Sequence, residues 1–464
     1  GLIYGNDGVG DIHIRAYIRD GAGYYSFDNF RLKTTVSDGD GKEYFSSVTE
    51  TVTPTTDLFY SSKTLPMGSD YYVKSSLQDK TTDEVICEQE WILRKREADY
   101  RPKVYIDEYH RMVYDGEPVL PVSMQNGSTY RDYWEDIKDR KGINYFAHGG
   151  MGWYFNYDKE EYHGDIMKKV EDSGKWVQLT TGNYIWDQNI MLGEVKSRVK
   201  KQSDLRGMLT RLINNFKDYE PLLFYYISDE LDPVKYGKDA QWMNDIVGTV
   251  DIDHPTTGAV DKVDRTHPGI RSKMMDFILT DPYPCTGKPN QDLSLVYRQM
   301  QELKELNPNR AIATFLQGFW YDRRGDLRAP NQQEYRNMAF QGLCAGSCFF
   351  TSYSYRWNKE HGTPGVDTNK LHADYFDVLE ELEYISPIYL SVEPAPYYEV
   401  KGGGDWLNSF TKRYDGESYL FVVNNQNVGK KARVYLDGAT KITGMYTGEV
   451  FEADEAGLFD LALD

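Results

Sequence analysis

The hydrophobic rhythm of this chain changes twice along its length. Over Asp11-Ile12-His13-Ile14-Arg15-Ala16-Tyr17-Ile18, apolar and polar positions alternate with period two, the mark of a half-buried strand. A Gly21-Ala22-Gly23 turn follows, and further strand patterns run over 24–32, 30–35, 50–52, 71–78 and 85–94, separated by Asp-Gly-Asp-Gly (38–41), Pro-containing and Asp-containing turns. Short strands at this spacing predict an immunoglobulin-like β-sandwich over residues 34–98, after the end of a separate β-domain at 1–33.

From about residue 100 the rhythm is different. A hairpin pattern at 104–118 leads into short continuous apolar runs at 119–124, 143–147, 176–180, 222–227, 255–260, 277–280, 311–316 and 347–351. Unbroken runs fit strands buried on both faces, as in a parallel sheet covered by helices. Between them, apolar residues recur at helical spacing over 130–140, 160–171, 192–216, 240–250, 293–306, 333–344 and 371–385, with no clear helix in the fifth interval. Eight strands alternating with helices have the size and order of a (β/α)8 TIM barrel, here over 99–392, with the 104–118 hairpin closing its bottom. Strand patterns return at 419–425, 432–436 and 458–463 and frame a C-terminal antiparallel β-domain, a β-sandwich over 393–464. The expected fold is multidomain: a central TIM barrel flanked by an N-terminal immunoglobulin-like β-sandwich and a C-terminal antiparallel β-domain.

The pivotal stretch is 221–230. Six apolar or aromatic residues, Leu222 to Ile227, run without alternation and stop, after Ser228, at Asp229 and Glu230. Charges at the C-terminal end of a barrel strand sit where such barrels keep their chemistry. The competing reading makes the pair the cap of the next helix, but Pro233 and the polar stretch after it are expected to delay that helix. Adjacent residues of a regular strand face opposite ways, so both carboxylates reach one cleft only if the strand end twists or bulges.

Composition narrows the function classes. The chain has 464 residues, a net charge of -19 and a pI near 5.0. That balance argues against nucleic acid and anionic membrane surfaces as partners. Mean hydropathy is -0.64 and no apolar stretch approaches a membrane span. Cys87, Cys285, Cys344 and Cys348 show neither zinc-site nor disulfide-framework spacing, and Cys344 and Cys348 read as close packing. The 38 Tyr and 9 Trp suit both strand packing and stacking on sugar faces.

The ends of the expected strands supply the candidate site. They offer His148 and Trp153 after the second strand, Asn183 and Trp186 after the third, and Asp229 and Glu230 after the fourth. Asp281 and Tyr283 follow the sixth, Gln317 and Trp320 the seventh, and Tyr353, Tyr355 and Trp357 the eighth. A carboxylate pair ringed by amides and aromatics suits a neutral, polyhydroxylated ligand.

Several motifs resemble known families. The run of a Gly turn, aromatics, Phe27-Asp28-Asn29 and Phe30-Arg31-Leu32 is similar to the last strands of jelly-roll carbohydrate-binding modules. Asp115-Gly116-Glu117-Pro118-Val119-Leu120-Pro121-Val122 resembles the start of the first strand in many sugar-cleaving barrels. The whole strand order is similar to the clan A (β/α)8 glycoside hydrolases, whose acid/base is a Glu after strand four and whose nucleophile is a Glu after strand seven. Glu230 matches the first position, although the preceding residue, usually Asn in the clan, is Asp229. The second position holds Gln317, and an amide cannot be that nucleophile. Three explanations stay open. Gln317 is an engineered replacement of Glu; or the reaction is substrate-assisted, as the adjacent Asp-Glu resembles glycoside hydrolase families 20 and 123, with Asp229 orienting an acetamido group and Glu230 as acid/base; or Asp281 is the second carboxylate.

The resemblance implies a glycoside hydrolase acting on a polysaccharide or complex glycan, secreted or cell-surface, needing no cofactor and no metal, with Glu230 as proton donor. The alternatives are a substrate-assisted N-acetylhexosaminidase and a non-catalytic carbohydrate-binding protein on a degenerate barrel.

Overall fold

The computed structural model describes residues 2–4, 11–17, 26–97, 99–124, 133–148, 160–181, 202–230, 233–260, 274–287, 292–321, 327–426 and 428–463. The chain forms two compact units, Gly1–Pro102 and Lys103–Asp464. No described helix is long and apolar enough to cross a membrane.

The first unit is a two-layered β-structure. Its larger sheet has the order β1 (Leu2–Tyr4), β7 (Val85–Arg96), β6 (Ser69–Asp79), β3 (Phe30–Asp38) and β4 (Glu43–Thr49). The second layer pairs β2 (Asp11–Tyr17) with β5 (Thr55–Ser61). Alternation places Val36, Tyr71, Val73 and Leu93 on one face of the larger sheet, where Ile14 and Tyr60 cover them. The expected division at residue 33 does not appear in this pairing. β2 buries Ile14 against the strands that follow it, and β1 pairs in parallel with the end of β7. An isolated hairpin could not bury that face, so the early strands complete the sandwich instead of ending another one.

In the second unit, seven parallel strands follow one another around a curled sheet. They are β11 (Tyr145–His148), β12 (Trp176–Thr180), β13 (Leu222–Ser228), β14 (Thr256–Val260), β15 (Ile278–Thr280), β16 (Ile312–Gln317) and β17 (Ser347–Tyr353). Residues 121–123 close the ring. Phe350 N–H donates to the Pro121 carbonyl at 2.8 Å and Ser123 N–H to that of Phe350 at 3.0 Å; on the other side, Asn144 N–H donates to the Val122 carbonyl at 3.0 Å.

The barrel interior explains the unbroken apolar runs. Tyr145, Phe224, Phe277 and Phe349 contribute one aromatic layer, with ring centroids from 5.3 to 6.0 Å apart in the contacting pairs. They come from or beside alternate staves, as in a layered barrel core. The outward-facing positions of the same strands, Tyr225 and Ile227 among them, pack against the surrounding helices. At the N-terminal end of the strands, the hairpin of β8 (Val104–Ile106), β9 (Met112–Tyr114) and β10 (Glu117–Val119) supplies Val104 and Met112 to this interior. Tyr114 Oη donates to the Glu220 carbonyl at 2.6 Å, so the hairpin closes the bottom as its sequence implies.

The described helices are α1 (Trp134–Ile137), α2 (Glu160–Asp172), α3 (Gln202–Phe216), α4 (Pro233–Val250), α5 (Leu295–Leu306), α6 (Gln332–Ala345), α7 (Tyr355–His361) and α8 (Thr368–Leu390). Pro233 does not delay α4, contrary to expectation; it is the first helical residue, where a missing N–H costs nothing and the fixed φ suits the helix. Antiparallel strands from β18 (Tyr398–Lys401) to β24 (Leu458–Leu463) form the C-terminal region. Within it, β19 (Leu407–Tyr414) and β20 (Glu417–Asn424) make a hairpin whose Phe410 and Phe421 rings stack at 4.4 Å. Phe421 belongs to the hydrophobic core that the barrel helices build, and Asn337 of α6 donates to the Asn424 carbonyl at 2.7 Å.

Candidate active site

All the strands of the curled sheet point the same way, so Ser228, Thr280, Gln317 and Tyr353 end at one mouth of the barrel. The end of β13 is irregular in two respects. Its pairing with β14 shifts between Tyr226 and Ser228, so that Tyr226 faces Thr257 and Ser228 faces Gly258. Ile227 is therefore the extra residue of a bulge. A Cβ on Gly258 would lie 2.0 Å from Ser228 Oγ and 2.7 Å from the Ser228 carbonyl oxygen, so only glycine admits this approach.

Two residues further on, Glu230 has φ of 45°. The other described non-glycine residues with positive φ are Asp83, His110, Asp115 and Asp415, of the types that tolerate the left-handed region. For a Glu this conformation costs about 1–2 kcal/mol, and strain of this kind gathers at functional sites because the surroundings must hold it in place. Bulge and left-handed turn together meet the geometric condition for both carboxylates to reach one cleft.

Asp229 is half-buried and Glu230 exposed. Tyr226 Oη, from the last inward-facing layer of the barrel, donates to Asp229 Oδ1 at 2.7 Å. Desolvation raises the Asp229 carboxyl to about 6; the Tyr226 hydrogen bond opposes this and the neighbouring Glu230 charge adds to it. Asp229 is thus poised to hold a proton close to neutrality.

The other strand ends converge on the pair. The Tyr283 hydroxyl is pushed well above its usual range by burial, and then by the charges of Asp281, Glu230 and Asp229. Burial, followed by Asp229 and Glu230, pushes the Tyr353 hydroxyl up to about 12. Phe319 joins the two tyrosines edge-on, at 5.0 Å from Tyr283 and 5.1 Å from Tyr353. Asp281 is buried at 9% exposure directly before Pro282. Sequence reasoning missed Tyr226 and Phe319. For Tyr226 a signal existed, since a tyrosine buried in a barrel strand needs a partner for its hydroxyl and an Asp stands three residues on.

Gln317 is fully buried, and backbone groups surround its carboxamide. Trp320, half-buried, donates through Nε1 to the Gly362 carbonyl at 2.5 Å. Trp357 packs against Tyr321 at 5.2 Å and Trp320 at 6.4 Å, and stacks on His361 at 4.0 Å. These rings form an aromatic group on the segments that leave β16 and β17. Tyr355 does not join them. Ser354 caps α7 directly after β17, and Tyr355 is held in the core at 3% exposure, with Oη donating to Asp136 and its ring against His372 and Phe376.

His148 ends β11, but its side chain lies outside the described residues, as do Trp153, Asn183 and Trp186 entirely. Among the described residues, no group of three His, Cys, Asp or Glu side chains is placed to hold a metal ion. The four cysteines are free thiols.

No family model and no curated protein sequence matches the chain. Solved structures do. One is β-glucuronidase 2 of Bacteroides uniformis covalently bound to cyclophellitol-6-carboxylate aziridine, at 10% identity over 94% of this chain and 57% of that one, with a TM-score of 0.40. A putative β-galactosidase from Bacteroides fragilis gives 10% identity, 94% and 68% coverage and a TM-score of 0.40. A β-glucuronidase from Ruminococcus gnavus gives 11%, 70%, 57% and 0.38. The chain spans 57% of the length of the first and third of these. Likeness of this degree carries no argument about chemistry, which rests on the site itself.

Proposed function

We propose that the chain is a glycoside hydrolase acting on an oligo- or polysaccharide, with Glu230 as general acid/base. The observation that carries this reading is the left-handed turn that presents Glu230 at the barrel mouth beside a desolvated Asp229. Glycoside cleavage needs one group to protonate the leaving oxygen and a second to attack, or to activate an attacker of, the anomeric carbon. Asp229 and Asp281 are the carboxylates available for the second task. Tyr283, Tyr353, Trp320 and Trp357 are the proposed surfaces for sugar rings. With a polymeric sugar as substrate, the place of action is secreted or cell-surface, and the N-terminal sandwich is read as immunoglobulin-like.

The test is hydrolysis of a panel of aryl glycosides and glycans by the wild type and by Glu230→Gln. The expected loss is about 10²–10⁴-fold with an unchanged circular dichroism spectrum. A wild-type protein that binds oligosaccharide and cleaves none of the panel would show a carbohydrate-binding protein instead.

The state of Asp229 favours a second reading, a substrate-assisted N-acetylhexosaminidase. A carboxyl held up to about 6 and fixed by Tyr226 is suited to orienting an acetamido group for attack while Glu230 protonates the leaving oxygen. Matched substrates with and without a 2-acetamido group decide this. Efficient cleavage of those without it would eliminate the substrate-assisted route.

A further inference from the structure

The carboxamide of Gln317 sits where three backbone segments meet: the loop leaving β15 (281–286), the segment after β16 (318–321) and the returning segment 327–329. Oε1 accepts from the Cys285 N–H at 2.7 Å. Nε2 donates to the carbonyls of Arg328 at 2.9 Å and Cys285 at 3.0 Å, with Phe319 a longer third at 3.4 Å. The same segments are tied by the Arg328 N–H to the Cys285 carbonyl at 3.1 Å, and by bridges between Thr286 and Leu327 and between Tyr321 and Leu327. Cys285 closely follows Asp281 and Tyr283 along the loop, and Phe319 packs on Tyr283 from the other side.

We infer that Gln317 is a positioning residue, whose amide locks the loop carrying Asp281 and Tyr283 to the end of β16. Position 317 then supplies no acid, and the second carboxylate of the reaction comes from Asp281 or Asp229. The inference rests on the glycosidase reading. The chemistry of the pocket requires an amide. It offers an acceptor to one N–H and two N–H donors to carbonyls, whereas a carboxylate has no donor and would face carbonyl oxygens in a buried place. A nucleophile standing here would have to be released from these contacts.

The experiment compares the wild-type chain with Gln317→Glu and with Gln317→Met, which keeps length and packing if the Glu variant fails to fold. Two readouts are taken: hydrolysis kinetics on the glycoside panel, and backbone hydrogen exchange over 281–286 and 327–329. Loss of the clamp is expected to speed exchange at the Cys285 amide at least about tenfold in Gln317→Met. It should lower kcat about 100-fold, as expected for a displaced catalytic group, with KM changed far less. Gln317→Glu should never exceed the wild type. A rise in kcat on Gln317→Glu would overturn the inference, because it would mean a nucleophile had been restored. Unchanged exchange in Gln317→Met would overturn the clamp, and faster exchange with unaltered kcat would overturn its positioning role. A wild type inactive on every substrate would instead overturn the glycosidase reading, while the exchange data would still judge the clamp.

Discussion

Asp229 accepts from Tyr226 and Asp251 from the adjacent Tyr225; burial raises both carboxyls, yet their net shifts are opposite. Asp229 takes its hydrogen bond from Tyr226 and still rises to about 6, because desolvation outweighs that bond. Its protonated form is the one the fold favours. Stability from this group is therefore complete below the unfolded value near 3.9 and is lost as pH climbs through 6; the ionised form then costs on the order of 3 kcal/mol. Asp229→Asn is expected to gain on the wild type as pH rises from 4 to 7, measured by urea unfolding at each pH; a constant offset would contradict this. Asp251 is also desolvated, but His254 at 2.8 Å, the Tyr225 hydroxyl at 2.7 Å and the Asp253 N–H hold it below its usual range. Its contribution is present above the unfolded value and disappears as pH falls through the depressed one. At pH 7, Asp251→Asn should lose about 1–3 kcal/mol of stability. Because Asp251 sits behind β13 rather than at the barrel mouth, the folded variant should keep whatever hydrolysis of the glycoside panel the wild type shows.

At the level of the element, the decisive feature is the end of β13. The apolar run 222–227 announces a strand buried on both faces, and every residue of β13 is buried. Period-two reasoning cannot anticipate the bulge at Ile227, because the extra residue is defined only by what stands opposite it in β14. Gly258 is the permissive partner. Gly258→Ala is expected to push Ser228 away and displace Asp229 and Glu230, costing about 1–3 kcal/mol in denaturant unfolding. Activity should fall by more than the stability loss explains; a variant with full kcat would show that the bulge does not position the pair. Pro233 carries a related lesson. As a helix breaker it would delay α4, yet at the first helical position it is a starter, because no N–H is needed there.

In the whole molecule, the C-terminal strands are bound to the barrel more closely than the strand pattern implied. Lys103–Asp464 forms one compact unit, with Phe421 in the barrel's helix-side core and Lys412 Nζ donating to the Ser391 carbonyl at 2.9 Å. A chain cut after residue 392 should expose the apolar faces of α6 and α8. Expressed from residue 103, it is expected to aggregate where 103–464 stays soluble, as size-exclusion chromatography would show. A monodisperse, folded 103–392 fragment would refute this.

Among the described residues, the order of strands and helices from 143 to 385, the hairpin under the barrel and the place of Asp229, Glu230, Asp281 and Gln317 at or just after the strand ends were legible in the sequence. Hydrophobic period reports local burial, and barrel topology turns chain order directly into neighbour order. What lay beyond that reading was contact between segments distant in the chain. Ile14 packs with strands that follow it, Tyr355 sinks into the helix layer, Tyr226 reaches Asp229, and Gln317 clamps Cys285 and Arg328. Each of these depends on which side chain stands opposite, and that is decided only when the chain closes on itself. The sequence by itself determined that acid stands at the mouth of a parallel barrel. The tertiary structure decided that Asp229 is desolvated and held by Tyr226, that a left-handed backbone carries Glu230, and that the amide on the seventh stave is built into the wall.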